Sequence, residues 1–256
     1  MPAITVSAIV LRSVNYRDND RILTLLTPNL GRVEVLSRGC RRPKSPFMSA
    51  SEVFCTGEYV LFSQHDKSIL SSCTLHDSFY PLRLDYGLLS CGAYLLNLCE
   101  AAAQPGEESG PLFWLLLKAL HRLAYGQEDR RGLVGGFLLH YAAILGYKPR
   151  LRHCVQCGKK LIGDEPVFFD CEAGGLACSK CSRTEGSLPL TQGQAAWLQI
   201  VFKEGPESSA HLPGGDAPFD SLRCYVESRL EKKIKGGPIF DPPAAGDPAF
   251  AGRPPR

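Results

Sequence analysis

Cys154 and Cys157, followed by Cys178 and Cys181, form two C-x-x-C pairs separated by twenty residues. Each pair fits on one tight turn, so both of its sulfurs can face a single ion. Two such turns complete the tetrahedral thiolate cage that zinc prefers. With four protein ligands no place is left for a catalytic water, so the pattern predicts one structural Zn2+ in a small zinc ribbon. The same spacing can also arise by coincidence in a chain with 11 cysteines. It can equally mark a redox dithiol, which needs a thioredoxin-like βαβ context that this sequence lacks. Gly158 follows the first pair, where a glycine relieves crowding as the turn closes, and Gly174 and Gly175 precede the second. Cys171 is a spare thiol inside the loop that can compete as a ligand, although the symmetric spacing argues against it. His153 neighbours a ligand, a position that usually points away from the metal. Cys40, Cys55, Cys73, Cys91, Cys99 and Cys224 lie in apolar or strand-like surroundings, and most read as small buried hydrophobes of a reducing cytosol.

A second chemistry is suggested near the N-terminus. Residues 1–50 carry eight Lys and Arg against three Asp and Glu, an excess larger than the +3 of the whole chain. The cations are Arg12, Arg17, Arg21, Arg32, Arg38, Arg41, Arg42 and Lys44, densest in Arg38-Gly39-Cys40-Arg41-Arg42-Pro43-Lys44-Ser45. Such a loop can offer main-chain N–H groups and guanidiniums to phosphates. Tyr16 and Phe47 flank it and can stack on unpaired bases, the combination by which small barrels hold single strands. A solvated charged loop with no ligand has the same composition. Lys148, Arg150, Arg152, His153, Lys159 and Lys160 form another basic cluster around the first cysteine pair. A third, Arg229, Lys232, Lys233 and Lys235, is offset by Glu227 and Glu231 at helical spacing.

Catalytic constellations are missing from the sequence. There is no P-loop, G-x-G-x-x-G, G-x-S-x-G or H-E-x-x-H. Asp18 and Asp20 resemble paired carboxylates for a nuclease metal, but two acids on one turn serve more often as charge partners, here for Arg17 and Arg21. His76-Asp77 lacks the further His and Asp of a metal phosphohydrolase. The expectation is a non-enzyme with no small-molecule substrate.

These groups must be held by elements that the chain can form. At 256 residues it has room for one large or two modest domains plus a small insert. The start has no signal-peptide pattern, and no apolar run approaches the roughly 20 residues of a membrane span. Ile4 to Arg12, Ile22 to Thr27, Arg32 to Arg38, Glu52 to Gln64 and Lys67 to His76 read as five strands, with Pro28 to Gly31 as a turn. Five short strands in the first eighty residues predict a closed barrel of the OB type. The texture then becomes helical: Leu82 to Ala103, Pro111 to Tyr125, Leu133 to Leu145 after an Asp129 cap, Leu190 to Phe202, and Phe219 to Lys235. The predicted fold is α+β multidomain: an OB-fold nucleic-acid-binding domain over 1–79, and a helical domain over 80–150 and 187–236. A zinc-ribbon module at 151–186 interrupts the helical domain, and a Pro/Gly/Ala-rich tail over 237–256 reads as disordered.

The stretch AIVLRSVNYRDNDRILTLLTPNLGRVEVLSRGCRRPKS resembles the opening of the bacterial RecO family of recombination mediators. It has the strand, the tyrosine-acidic turn, the Thr-x-x-x-Gly hairpin and the Gly-x-Arg-Arg-x-x-Ser loop. FLLHYAAILGYKPRLRHCVQCG and FFDCEAGGLACSKC are similar to the same family's last bundle helix, its connector and its zinc pairs. The resemblance spans roughly residues 3 to 185. Cys40 stands where the family has alanine and Asp18 where it has glutamate, while Ser49 to Phe54 matches the family's apolar segment poorly. The resemblance implies an OB-fold, a helical domain and zinc held by Cys154, Cys157, Cys178 and Cys181. It implies DNA contact through Arg38, Arg41, Arg42 and Lys44; placement adds Arg12, Arg17, Arg21 and Tyr16.

The function so implied is a cytoplasmic, nucleoid-associated mediator of DNA repair that binds single- and double-stranded DNA and anneals complementary strands. With RecR it would help load RecA onto DNA coated by single-strand-binding protein (SSB), whose C-terminal tail it would also bind. The rivals are an RNA-binding zinc and OB protein, a metal-dependent nuclease using Asp18 and Asp20, and an adaptor acting only through partners.

Overall fold

The computed structural model describes residues 3–64, 67–161, 165–182 and 186–240. Five strands open the chain: β1 (Ala3–Tyr16), β2 (Asp20–Thr27), β3 (Gly31–Ser37), β4 (Thr56–Gln64) and β5 (Lys67–Asp77). They close into a barrel in the order β1-β2-β3-β5-β4, with β1 hydrogen-bonded to β4 and a short parallel pairing of β3 with β5. This is the five-stranded OB architecture. β1 serves two neighbours, pairing with β4 over Ala3 to Ile9 and with β2 over Ile9 to Tyr16, and an irregularity between Val10 and Arg12 lets it bend between them.

Alternation along the strands splits the apolar residues into two sets. Ala8, Val10, Leu23, Leu25, Val35, Tyr59 and Leu61 fill the barrel. Ile9, Leu11 and Leu26 point out and join the helical core. The segment between β3 and β4 plugs the barrel with Ala50 and the half-buried Phe47, and the buried Tyr59 hydroxyl donates to the Ala50 carbonyl at 2.9 Å. The fourth strand starts at Thr56, four residues later than the alternation predicts. Phe54 takes a left-handed conformation (φ 72°), and its ring packs on Gly92 of the first helix.

After a 3-10 turn at Tyr80–Arg83 come α1 (Tyr86–Ala102), α2 (Gly110–Tyr125) and α3 (Arg130–Ile144). α1 begins at residue 86 rather than 82 because the Asp85 carboxylate accepts the Leu88 N–H at 2.8 Å and fixes the start there. Asp129 caps α3 in the same way through Gly132. β6 (Val167–Asp170), β7 (Gly175–Cys178) and β8 (Ser187–Leu190) form a small sheet in the order β7-β6-β8. β8 takes Leu190, which the helical pattern assigns to the next helix, and α4 covers Gln192–Glu204, opened by a Thr191/Gln194 capping box. α5 (Phe219–Leu230) ends five residues before the expected Lys235 because Glu231 is left-handed.

The first residues of the Pro/Gly/Ala-rich segment are half-buried against the helices. Ile239 N–H donates to Ser90 Oγ at 2.9 Å, and Phe240 packs edge-on against Phe219 with ring centroids 4.9 Å apart. The rest of the predicted tail, 241–256, lies outside the described residues. One continuous core joins the outer face of the barrel, all five helices and the inner face of the small sheet. No helix among the described residues is long and apolar enough to cross a membrane.

Candidate metal centre and nucleic-acid groove

Two knuckles build the metal centre. At the first, Cys154 N–H donates to the Lys159 carbonyl and Gly158 N–H returns to the Cys154 carbonyl. Gly158, at φ 72°, supplies the left-handed step that this closure needs. At the second, β7 delivers Cys178, and Cys181 N–H donates back to the Cys178 carbonyl at 3.0 Å. Val155 N–H donates to the Leu176 carbonyl at 2.9 Å and holds the knuckles together. The ligand atoms of Cys154, Cys157, Cys178 and Cys181 all lie within 4.8 Å of one another, with Cys157 and Cys178 sulfurs 3.9 Å apart. A tetrahedral thiolate site with metal–sulfur bonds near 2.3 Å needs sulfurs about 3.8 Å apart, so the four residues fit a metal ion.

Electrostatics prepare the site. Burial opposes ionisation of Cys154, yet the backbone N–H groups of Cys157, Cys178 and Gln156 outweigh it and hold this thiol down at about 6. Cys181, hydrogen-bonded to Cys157 and Cys178, is pushed up to about 12. Cys171 is not part of the group; its sulfur faces the Ser221 carbonyl of α5 at 3.8 Å. His153 is not part of it either. Among the described residues this quartet is the one cluster of three or more metal-ligand side chains.

The basic loop leaves β3 through Gly39 (φ 66°) and folds back onto the turn between β1 and β2. Asp20 accepts the Gly39 N–H at 2.8 Å, and Arg41 N–H donates to the Asn19 carbonyl at 3.0 Å. The folded loop forms one bank of an open groove of about 1160 Å³. Five cations line it, Arg17, Arg32, Arg38, Arg42 and Lys67, against two acids, Asp20 and Glu34, with Tyr16, Pro105 and Gly106 also in the lining. Tyr16 is half-buried and carries the Arg17 guanidinium 5.2 Å from its ring centroid. The groove thus offers phosphate-binding charge beside a π surface.

The predicted contact residues separate by placement. Arg38, Arg42, Arg17 and Tyr16 line the groove. Lys44 is exposed on the same loop but outside the lining, and Arg41 turns its guanidinium to the Asp18 carbonyl at 3.1 Å. Arg21 is engaged inside the protein, bonded to Glu52 at 2.6 Å and to the Ser51 carbonyl at 3.3 Å. Arg12 stands 60% exposed, 3.6 Å from Glu100. Arg32 and Lys67 are lining residues that charge density alone did not single out. They sit alone on separate strands, and only the parallel pairing of β3 with β5 brings them together. Phe47 is half-buried against the barrel core rather than standing free as a stacking platform. Asp20 is occupied in holding the loop, which separates it in role from Asp18. Of the second cluster, Arg150, Arg152 and His153 line a cleft of about 470 Å³ with Phe202 and Lys203 of α4, and Lys159 pairs with Glu165 at 2.8 Å.

Comparison with known proteins agrees with this architecture. A family model described as "Recombination protein O N terminal" matches residues 1–79, and one described as "Recombination protein O C terminal" matches residues 83–237. Three similar proteins are each called "DNA repair protein RecO". That of Symbiobacterium thermophilum is 31% identical over 248 residues, covering 94% of this chain and 98% of its own. That of an Anaeromyxobacter species is 30% identical over 248 residues, covering 94% and 97%. That of Acetivibrio thermocellus is 28% identical over 231 residues, covering 88% and 91%. Matches of this extent, across barrel, helices and cysteine knuckles alike, place the chain in the RecO family.

Proposed function

We propose that this chain is a non-catalytic DNA-binding mediator of recombinational repair, working in the cytoplasm at the nucleoid. The observation that carries the reading is the groove, with five cations and a tyrosine on one open barrel face. Phosphates would be held by Arg38, Arg42, Arg17, Arg32 and Lys67, with Tyr16 stacked on a base. The base edges of a strand held by its backbone stay free to pair, which is what strand annealing requires. Arg41 and Lys44 would add charge along the rim, and duplex DNA would engage the same surface through its backbone alone. The family supplies the rest of the proposal: RecR as co-mediator, RecA as the protein loaded, and SSB as the protein displaced. The basic cleft around Arg150, Arg152 and Lys203 is a surface where the acidic tail of such a partner would find counter-charge.

For the quartet we propose one structural Zn2+. Four thiolates favour zinc over the oxygen-seeking divalent ions, and the closed coordination gives the metal a folding role. Native mass spectrometry tests both its presence and its identity.

The central test is binding of fluorescent single-stranded DNA across a salt series, followed by annealing in the presence of SSB. Affinity that falls steeply with salt, with faster annealing and intact strands, supports the proposal. Preference for structured RNA would favour the RNA-binding alternative. Cleavage with added Mg2+ or Mn2+, lost on Asp→Asn changes at Asp18 and Asp20, would replace the mediator with a nuclease.

A further inference from the structure

Two cysteines outside the metal quartet lie against each other. Cys171 occupies the turn after β6 and is 3% exposed. Its sulfur faces the Ser221 carbonyl of α5 at 3.8 Å, and its own carbonyl accepts from Ser228 Oγ and the Arg229 guanidinium, each at 3.5 Å. Ser221 and Ser228 are two helical turns apart on one stripe of α5. Cys171 therefore lies across the middle of that stripe, and the residue there is Cys224. Cys224 is close enough to the Cys171 thiol to raise it, and Cys224 is exposed where Cys171 is buried. The pair thus joins an accessible cysteine to a covered one across the ribbon and α5.

We propose that Cys171 and Cys224 are an oxidisable pair, in which a hydroperoxide attacks at Cys224 and Cys171 resolves the product into a disulfide between the ribbon and α5. In the first step the Cys224 sulfur bonds to one peroxide oxygen and the O–O bond breaks. The second oxygen leaves as water or alcohol, and Cys224 becomes a sulfenic acid, oxidised by two electrons. In the second step the Cys171 sulfur attacks the Cys224 sulfur, the S–OH bond breaks, and water leaves with the Cys171 proton. Two thiols and one hydroperoxide thus give one disulfide, with water and the reduced peroxide as the other products.

The order of events follows from the surroundings. Burial, and after it the contact with Cys224, raises the Cys171 thiol far above its ordinary value, so Cys171 does not react first with a solvent oxidant. It needs an electrophilic sulfur placed beside it. The cross-link would fasten the turn that leads into β7, the strand carrying Cys178, to a helix of the core. Release of metal from the quartet to a chelator should slow several-fold as a result.

The test is peroxide treatment of the purified full chain, quenching with N-ethylmaleimide, and intact-mass and peptide analysis. The expected product has lost the mass of two hydrogen atoms, carries a cross-link between the peptides of Cys171 and Cys224, and reverts with dithiothreitol. Cys224→Ser, a change at an exposed position, should abolish it and leave metal release unchanged by peroxide. Two results would overturn the proposal. One is Cys224 carried on to sulfinic acid while Cys171 stays alkylatable after denaturation. The other is a disulfide drawn from the quartet instead.

Discussion

The cysteine quartet and the barrel groove both gather like groups against their mutual repulsion, but by opposite means. The quartet takes its sulfurs from two knuckles of one ribbon, buries Cys154 and Cys178, and aims backbone N–H groups at Cys154. The groove takes its cations from a turn, two strands and a loop, and leaves all but Arg32, which donates to the Glu100 carbonyl at 3.2 Å, exposed. A closed site fails as a unit when one member is lost, whereas an open one weakens by increments, one charge at a time. All-or-none behaviour is therefore expected at the ribbon and graded behaviour at the barrel.

The largest effect should come from Cys178→Ser. It removes one of the two deeply buried ligands, and metal content should fall to near zero rather than by a quarter. The ribbon shares Phe169 and Leu176 with the main core, so stability should drop by more than about 4 kcal/mol. Metal analysis and thermal melting would check this; partial retention of metal would end the contrast with the groove. Next comes Arg38→Ala with Arg42→Ala. Single-stranded binding should weaken by about 10- to 100-fold, and the salt slope should flatten by about 1.4, two phosphate contacts' worth. Replacing Arg41 and Arg42, the pair that loop density alone selects, should flatten it about half as much, because only Arg42 lines the groove. Equal slopes for the two doubles would show that the lining does not decide contact.

Arg21→Ala should behave as a structural change. It removes the charge partner of the half-exposed Glu52 and one of two donors to the Ser51 carbonyl, which Ser13 Oγ still serves at 2.6 Å, costing about 1 kcal/mol or less of stability, with the salt slope unmoved. The smallest effect concerns His140, whose Nε2–H donates to the Val201 carbonyl at 2.9 Å. Burial lowers its pKa below the ordinary 6.5, more than the Val201 bond raises it. The unfolded chain therefore takes up a proton at a pH where the folded chain does not. Stability should fall as pH drops through about 6.5 and level off only below the folded value. His140→Gln should remove that slope in melts between pH 7.5 and 5.5.

The cysteine cluster was legible in the sequence, because two C-x-x-C turns are written as spacing within a short segment, whereas the three strands around it were not. The barrel's five strands were legible through alternation, and Asp129 as a cap through its position before an apolar run. What escaped was set by distant contacts. β8 is four residues long and has no periodicity of its own; pairing with β6 makes it a strand. Phe54 looks like one more strand residue until Gly92 offers its ring a seat. Phe240 is a single aromatic in a Pro/Gly-rich stretch, and only the gap beside Phe219 makes it structural. Arg32 and Lys67 stand isolated in sequence and become part of one surface only when the barrel closes. Conversely, Arg21 carries the same charge as its neighbours, and nothing local announces that Glu52 occupies it.

The turn between β2 and β3 ties the barrel to a segment made much later. Gly31, at φ 61°, lies so close to the Gln104 and Glu107 carbonyls that a Cβ there would fall 2.0 Å and 2.6 Å from them. Arg32 N–H donates to the Gln104 carbonyl, Gly106 N–H to that of Leu30, and Ser109 N–H to that of Pro28. During synthesis, at roughly 5–20 residues per second, the end of β5 leaves the ribosome about one to six seconds before residues 104–109 do. Throughout that interval the groove lacks Pro105 and Gly106 and the turn lacks its partners. The nascent barrel thus keeps an unanchored β2–β3 turn until the segment beyond α1 has emerged, and the last hydrogen bonds of the barrel wait on residues outside it.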